Sequence, residues 1–134
     1  MAEFNLSVVA PDRTIFEDKV SSIIAPGVLG YFGIQAGHEP LIAALDTGIV
    51  EVKEASGNKK YVSITGGFLE VSGGSVIILA DNGQHSDEID VAAAEAELEI
   101  ARKVLRNEDA SMTKEEATSL LRKATNDIKA SRMR

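Results

Sequence analysis

The hydrophobic rhythm of the chain changes once, near residue 85. Phe4, Leu6 and Val8 alternate with Asn5 and Ser7, the period of a half-buried strand, and Pro11 ends it. The stretch 14–25 is rich in Ile, Val, Phe and Thr and predicts one long or two short strands. Pro26-Gly27-Val28-Leu29-Gly30 then signals a turn. Further strands are predicted at 31–35, 41–45, 49–52, 60–65, 68–71 and 76–80. The turns between them are expected at Asp46-Thr47-Gly48, Ser56-Gly57-Asn58, Gly66-Gly67 and Gly73-Gly74. Short strands at this spacing, with no helical stretch among them, predict an all-β sandwich or barrel of about 8–10 antiparallel strands over residues 1–85.

Beyond that point the period lengthens. Val91, Ala94, Leu98, Ala101 and Leu105 recur at three- and four-residue steps, with Ala93, Ala96, Ile100 and Val104 as a flanking stripe. The pattern predicts a helix over about 90–106 with a broad apolar face. Asn107-Glu108-Asp109-Ala110-Ser111 breaks it. Thr113 and Glu116 have capping-box spacing and open a second helix, about 113–131, whose face is Ala117, Leu121, Ala124 and Ile128. Residues 86–134 therefore predict an antiparallel helical hairpin. Its seam is rich in alanine. A buried leucine contributes roughly 1.5–3 kcal/mol and a single methyl much less, so the hairpin is expected to separate readily from the sheet domain.

Composition sharpens the same division. The last glycine is Gly83, the last proline Pro40 and the last aromatic Phe68. The net charge of −7 argues against generic nucleic-acid binding, which needs a basic field. The absence of cysteine excludes disulfides, thiolate metal sites and a thiol nucleophile. No basic segment followed by an apolar one opens the chain, so no signal peptide is expected. Apolar runs such as 76–80 are too short to span a bilayer.

Three local patterns invite a chemical reading. Gly27, Gly30 and Gly33 resemble a phosphate loop, but no Lys-Ser/Thr pair and no helix start follow. His38-Glu39 resembles the start of a zinc-protease helix, but Pro40 would break that helix and Ile42 stands where the second histidine belongs. Asp81 and His85 could form an acid–base pair, or simply a polar exit loop before the tail. No set of nucleophile, base and orienting group is visible, so no catalysis, metal or cofactor is expected. A carbohydrate-binding sandwich is disfavoured by the absence of tryptophan. Over 119–134, five basic residues face one acid, Asp127. That charge fits either a cationic helix C-terminus favoured by the macrodipole or docking on an acidic partner.

Taken in order, these pieces resemble the epsilon subunit of F-type ATP synthase, the equivalent of mitochondrial delta. Gly33-Ile34-Gln35-Ala36-Gly37-His38-Glu39-Pro40-Leu41 is similar to the family's Gly-Ile-x-x-Gly-His-x-Pro-Leu signature. Gly66-Gly67-Phe68-Leu69-Glu70-Val71 and Ile78-Leu79-Ala80-Asp81 are similar to a second one. The wording looks more bacterial than chloroplast.

The resemblance implies a non-catalytic rotor subunit of the central stalk. It would couple rotation of the c-ring to ATP synthesis and sit peripherally at the cytoplasmic face of the bacterial plasma membrane. It implies partners (gamma, the c-ring, and the alpha and beta subunits) and contacts. Leu29, Gly30 and Tyr31 would touch the c-ring, with Tyr31 departing from a usually polar position. His38 and Leu41 would touch gamma. An extended hairpin would inhibit ATP hydrolysis through Arg122, Lys123, Lys129 and Arg132. Some bacterial relatives bind ATP between the tail helices through Ile/Leu-Asp-x-x-Arg-Ala, which would make the chain an ATP-sensing module. Here the segment includes Ile89, Asp90, Ala93 and Ala94, with alanine in place of the arginine, and Asp127 stands where such relatives supply another arginine. ATP binding is therefore expected to be weak or absent, and Asp90 is expected to act as a helix N-cap.

Overall fold

A computed structural model describes residues 2–133. Strands β1 (Phe4–Ala10), β2 (Arg13–Val20), β3 (Ser22–Gly27), β4 (Gly30–Gln35), β5 (Leu41–Lys53), β6 (Lys59–Ser72), β7 (Ser75–Ala80) and β8 (Gly83–His85) come first. A 3-10 turn (Ser86–Glu88) leads into helices α1 (Val91–Leu105) and α2 (Lys114–Ser131). The strands form one hydrogen-bonded path, β2-β1-β7-β6-β5-β3-β4, with β8 added on β6. It wraps around a single core drawn from seven of the strands, in which Leu6, Val8, Ile23, Ile34, Val50, Val62, Leu69 and Ile78 are among the residues buried. The expected antiparallel pairing holds with one exception. β1 runs parallel to β7, Leu6 opposite Val76 and Val8 opposite Ile78, which makes the sheet mixed.

Two expected turns are absent. Asp46-Thr47-Gly48 lies inside β5 and Gly66-Gly67 inside β6, and the β5–β6 ladder runs from Leu41↔Val71 to Lys53↔Lys59 in constant register. These segments form a corner instead. Before it, Leu41, Ala43 and Leu45 turn toward the core; after it, Val50 and Val52 do. On β6, Val62 and Ile64 face the core on one side of the corner, Leu69 and Val71 on the other. The inward parity flips on both strands together, so each long strand serves two parts of the wrapped sheet. Glycine makes this possible. Gly66 and Gly67 have φ of 112° and 138°, and a Cβ on Gly67 would collide with the Leu79 carbonyl oxygen. The glycine pair read as chain reversal is a bend within a continuous ladder.

The tail forms the expected hairpin. Asp90 caps α1, its carboxylate accepting from the Ala93 N–H at 3.1 Å. Asn107, at φ 62°, ends it: the Glu108 N–H reaches the Lys103 carbonyl at 2.8 Å and the Asn107 N–H reaches that of Val104 at 3.0 Å, the double closure of a Schellman motif. Thr113 and Glu116 form the complete capping box of α2. The apolar seam is narrower than the sequence pattern suggested. Ala94, Ala101 and Val104 are buried, but Ala93, Ala96 and Ile100 face solvent. On α2, Ala117 and Ala124 are buried while Leu121 and Ile128 are only half-buried. It is α2 that lies on β5, β6 and the 3-10 turn, where Ala130 packs with Ile49 and Ile89.

Candidate functional site: an apolar sheet face and a latched hairpin

Two regions carry side chains that the fold alone does not require. The first surrounds the β3–β4 turn. Leu29 stands fully exposed at its tip, and Val28 beside it is more than half exposed. A shallow apolar groove runs from this tip between Phe32, His38, Leu41 and Ile42. Leu29, Gly30, His38 and Leu41, assigned from sequence to two different contacts, thus share one groove. Tyr31 is not part of it. Its hydroxyl accepts the Ile49 N–H at 3.1 Å, tying the turn to β5. The His38 Nδ1 lies 2.7 Å from the Glu39 carbonyl.

Ile42 also lines a second apolar groove, shared with Phe68, Leu69, Ile77 and Leu79. Ile42 is 70% exposed, Phe68 58% and Leu79 53%. Phe68 pairs with Ala44 on one side and Leu79 on the other, so the patch crosses β5, β6 and β7 on the face opposite the core. Sequence reasoning missed these residues as functional. The signal was available: β5, β6 and β7 carry apolar residues at both parities, more than a one-sided sheet can bury. A contiguous exposed apolar patch marks an interaction surface.

The second region is the underside of α2. Ser63 is 2% exposed and Asp127 4%. The Ser63 hydroxyl donates to Asp127 Oδ1 at 2.6 Å and accepts from Asn126 Nδ2 at 2.9 Å. The same amide donates to the Gly48 carbonyl at 2.7 Å. The other Asp127 oxygen takes the Lys123 ammonium at 3.0 Å, and Lys123 also reaches Glu97 on α1 at 3.1 Å. Partial burial pulls the Lys123 pKa down, but its hydrogen bonds to Asp127 and Glu97, with their charges, outweigh this and hold it above the ordinary 10.5. Arg122 donates to Asp46 at the corner of β5 at 2.9 Å. The Thr47 N–H, then Arg122, hold the Asp46 carboxyl below its usual 3.8.

The four tail cations are therefore not gathered into one patch. Arg122 and Lys123 are neutralised within the chain, while Lys129 and Arg132 are exposed. The residues of the degenerate ATP motif serve the fold: Asp90 caps, Ile89 and Ala94 are buried, and Ala93 is exposed. His85 does not pair with Asp81. Its Nδ1 accepts the Asp87 N–H at 3.2 Å, capping the 3-10 turn. Among the described residues no cluster of three or more His, Asp or Glu side chains could hold a metal ion.

Comparison with known proteins places this architecture. Residues 3–86 match the family model for the β-sandwich domain of the ATP synthase delta/epsilon chain. The epsilon chain of Moorella thermoacetica ATP synthase is 38% identical over 130 residues, covering 97% of both chains. This chain belongs to the ATP synthase delta/epsilon family. The epsilon chain of Syntrophomonas wolfei is likewise 38% identical over 133 residues, 98% of this chain and 97% of the relative, so the likeness extends through the hairpin. A chain in the Euglena gracilis mitochondrial ATP synthase structure, which comprises OSCP, F1 and the c-ring, superposes with a TM-score of 0.81. It is 26% identical and covers 100% of this chain and 83% of that one. As a member of the epsilon family the chain is a non-catalytic accessory subunit, associated peripherally with a membrane. No helix among its described residues is long and apolar enough to cross one.

Proposed function

We propose that the chain is the epsilon subunit of the rotating central stalk of a proton- or sodium-translocating F-type ATP synthase, at the cytoplasmic face of a bacterial plasma membrane. Its sheet domain is the adaptor: the Ile42–Phe68–Leu79 face and the adjoining His38–Leu41 groove receive gamma, and the Leu29–Gly30 tip meets the c-ring. Its hairpin is the regulator. Docked on the sheet, as here, it leaves the catalytic head free; extended, it carries Arg122, Lys123, Lys129 and Arg132 to acidic surfaces of the alpha and beta subunits and inhibits ATP hydrolysis.

The observation that carries this reading is the contrast between the two regions. The sheet is a single wrapped core with an uncovered apolar face, as a fixed adaptor requires. The hairpin rests on it through few apolar residues and a handful of polar bonds, as a two-position element requires. The ATP-sensing alternative has little support, because Ala93 offers no cation and Lys123 is already occupied by two carboxylates of its own chain. Affinity purification of the tagged chain from its own membranes tests the adaptor role. Gamma should co-purify with wild type, and its absence would overturn the proposal.

A further inference from the structure

Ser63 is an anomaly in β6. Its neighbours Val62 and Ile64 are fully buried in the main core, and Ser63 points the other way, under α2, where an apolar residue would pack more cheaply. A hydroxyl buried there needs partners, and it has two, both from α2. Asp127 is the matching anomaly on the helix: a carboxylate nearly withdrawn from water, where the other buried positions of α2 are Ala117, Ala124, Ala130 and, at its end, Ser131. Burying a carboxylate is costly unless it is paired and hydrogen-bonded. Here Ser63 satisfies one oxygen and Lys123 the other, and among the described residues no buried side-chain polar atom lacks a partner.

These bonds divide by what they join. Ser63–Asp127, Asn126–Gly48, Asn126–Ser63 and Arg122–Asp46 join hairpin to sheet. Lys123–Glu97 joins α2 to α1. Undocking the hairpin as a unit breaks the first group and spares the second. Alanine contacts are weakly selective in register and direction, whereas a serine hydroxyl with one donor and one accepted bond admits a single placement of α2.

We propose that Asp127, seated on Ser63 and flanked by Asn126, is a built-in latch that holds the hairpin on the sheet domain without any nucleotide. The inference rests on the regulatory reading above and names the device that sets its balance. The alanine seam supplies contact, and the buried polar cluster supplies the preference for the docked state. Lys123 is compensated by carboxylates of its own chain, so the hairpin closes on itself with no phosphate needed between its helices.

The test uses the full-length isolated chain. The absence of native cysteine lets one spin label be placed on an exposed β6 position such as Lys59 and one on an exposed α2 position such as Thr125. Pulsed dipolar spectroscopy then reads the distance between them. Wild type should show one short distance, unchanged by millimolar ATP. Ser63→Ala and Asp127→Ala each remove a hydrogen bond to or from a charged group, which should shift the docked-to-undocked ratio roughly ten- to a hundredfold and add a long-distance population. Asn126→Ala should act in the same direction. Should Asp127→Ala lower the stability of the sheet domain as well, Ser63→Ala and Asn126→Ala decide, because each leaves Asp127 paired with Lys123. Unchanged distances in these variants, or a wild type that docks only with ATP, would overturn the latch. Because the readout needs no ATP synthase, that failure would leave the rotor assignment untouched, and loss of gamma binding would leave the latch standing.

Discussion

At the residue scale, a few side chains decide between alternatives that the rest of the chain leaves open. Gly67 is one. Its φ of 138° and the Leu79 carbonyl beside it leave no room for a side chain, so Gly67→Ala should cost about 2–4 kcal/mol of stability, read as a fall in the denaturation midpoint at unchanged slope. Lys123 is another. Its folded pKa lies above the ordinary lysine value, so its contribution to hairpin packing is complete below pH 10.5. That contribution should be lost as pH climbs through the raised value and the ammonium discharges. Asp46 has the opposite sign: its depressed pKa adds stability above pH 3.8 that is lost as acid protonates it. Asp46 is well exposed and Lys123 only partly buried, so solvent screening should keep the effects small. Helicity followed by circular dichroism from pH 3 to 11.5 checks both, expected to be flat through neutrality and to fall at the two ends. Residue chemistry was partly legible in sequence. Asp90, Thr113 and Glu116 announce themselves because caps act within four residues. Ser63 and Asp127 lie 64 positions apart, and nothing local shows that a serine in a strand and an aspartate in a helix will meet. In sequence Asp127 reads as a lone acid among cations and as the wrong charge for a phosphate; in the fold it is the right group for Ser63 and Lys123.

At the element scale, the helices and most strands follow from periodicity, while the corner of β5 and β6 does not. A glycine pair and an Asp-Thr-Gly triplet have the composition of turns. Whether they reverse the chain or bend it depends on whether the flanking strands pair with each other or continue against the same neighbours, and that is a long-range property. The cost of the misreading was functional as well. Two short strands hide the outward row Ile42, Phe68 and Leu79, whereas two long bent strands present it. The apolar face is expected to carry gamma binding without contributing to folding. Ile42→Glu and Phe68→Glu should therefore leave the thermal midpoint nearly unchanged and weaken gamma association at least tenfold, measured by titration against purified gamma. A large loss of stability with unaltered binding would mean that this face serves the fold. Leu29→Ala, at a tip that packs on nothing within the chain, should likewise be silent in stability.

At the scale of the whole molecule, two kinds of cohesion are set side by side. The sheet domain buries side chains from seven strands in one core, so it should unfold as a unit. The hairpin has its own small cluster around Ala101, Val104 and Ala117 and touches the sheet through α2 alone to any extent. Its energetics are local, and opening it should not threaten the core. The sheet-plus-hairpin division was legible from composition, because glycine and aromatics stop where the helices begin. The docked placement was not, because it rests on the Ser63–Asp127 and Arg122–Asp46 pairings. Truncation separates the two roles. An ATP synthase assembled with the chain lacking residues 109–134 should remain coupled through the intact sheet domain yet hydrolyse ATP faster than the enzyme carrying the full chain. The rate of ATP hydrolysis by these two assemblies, measured side by side, is the most direct measurement: a higher rate without the second helix is expected of an inhibitory hairpin, and an unchanged or lower rate would contradict it.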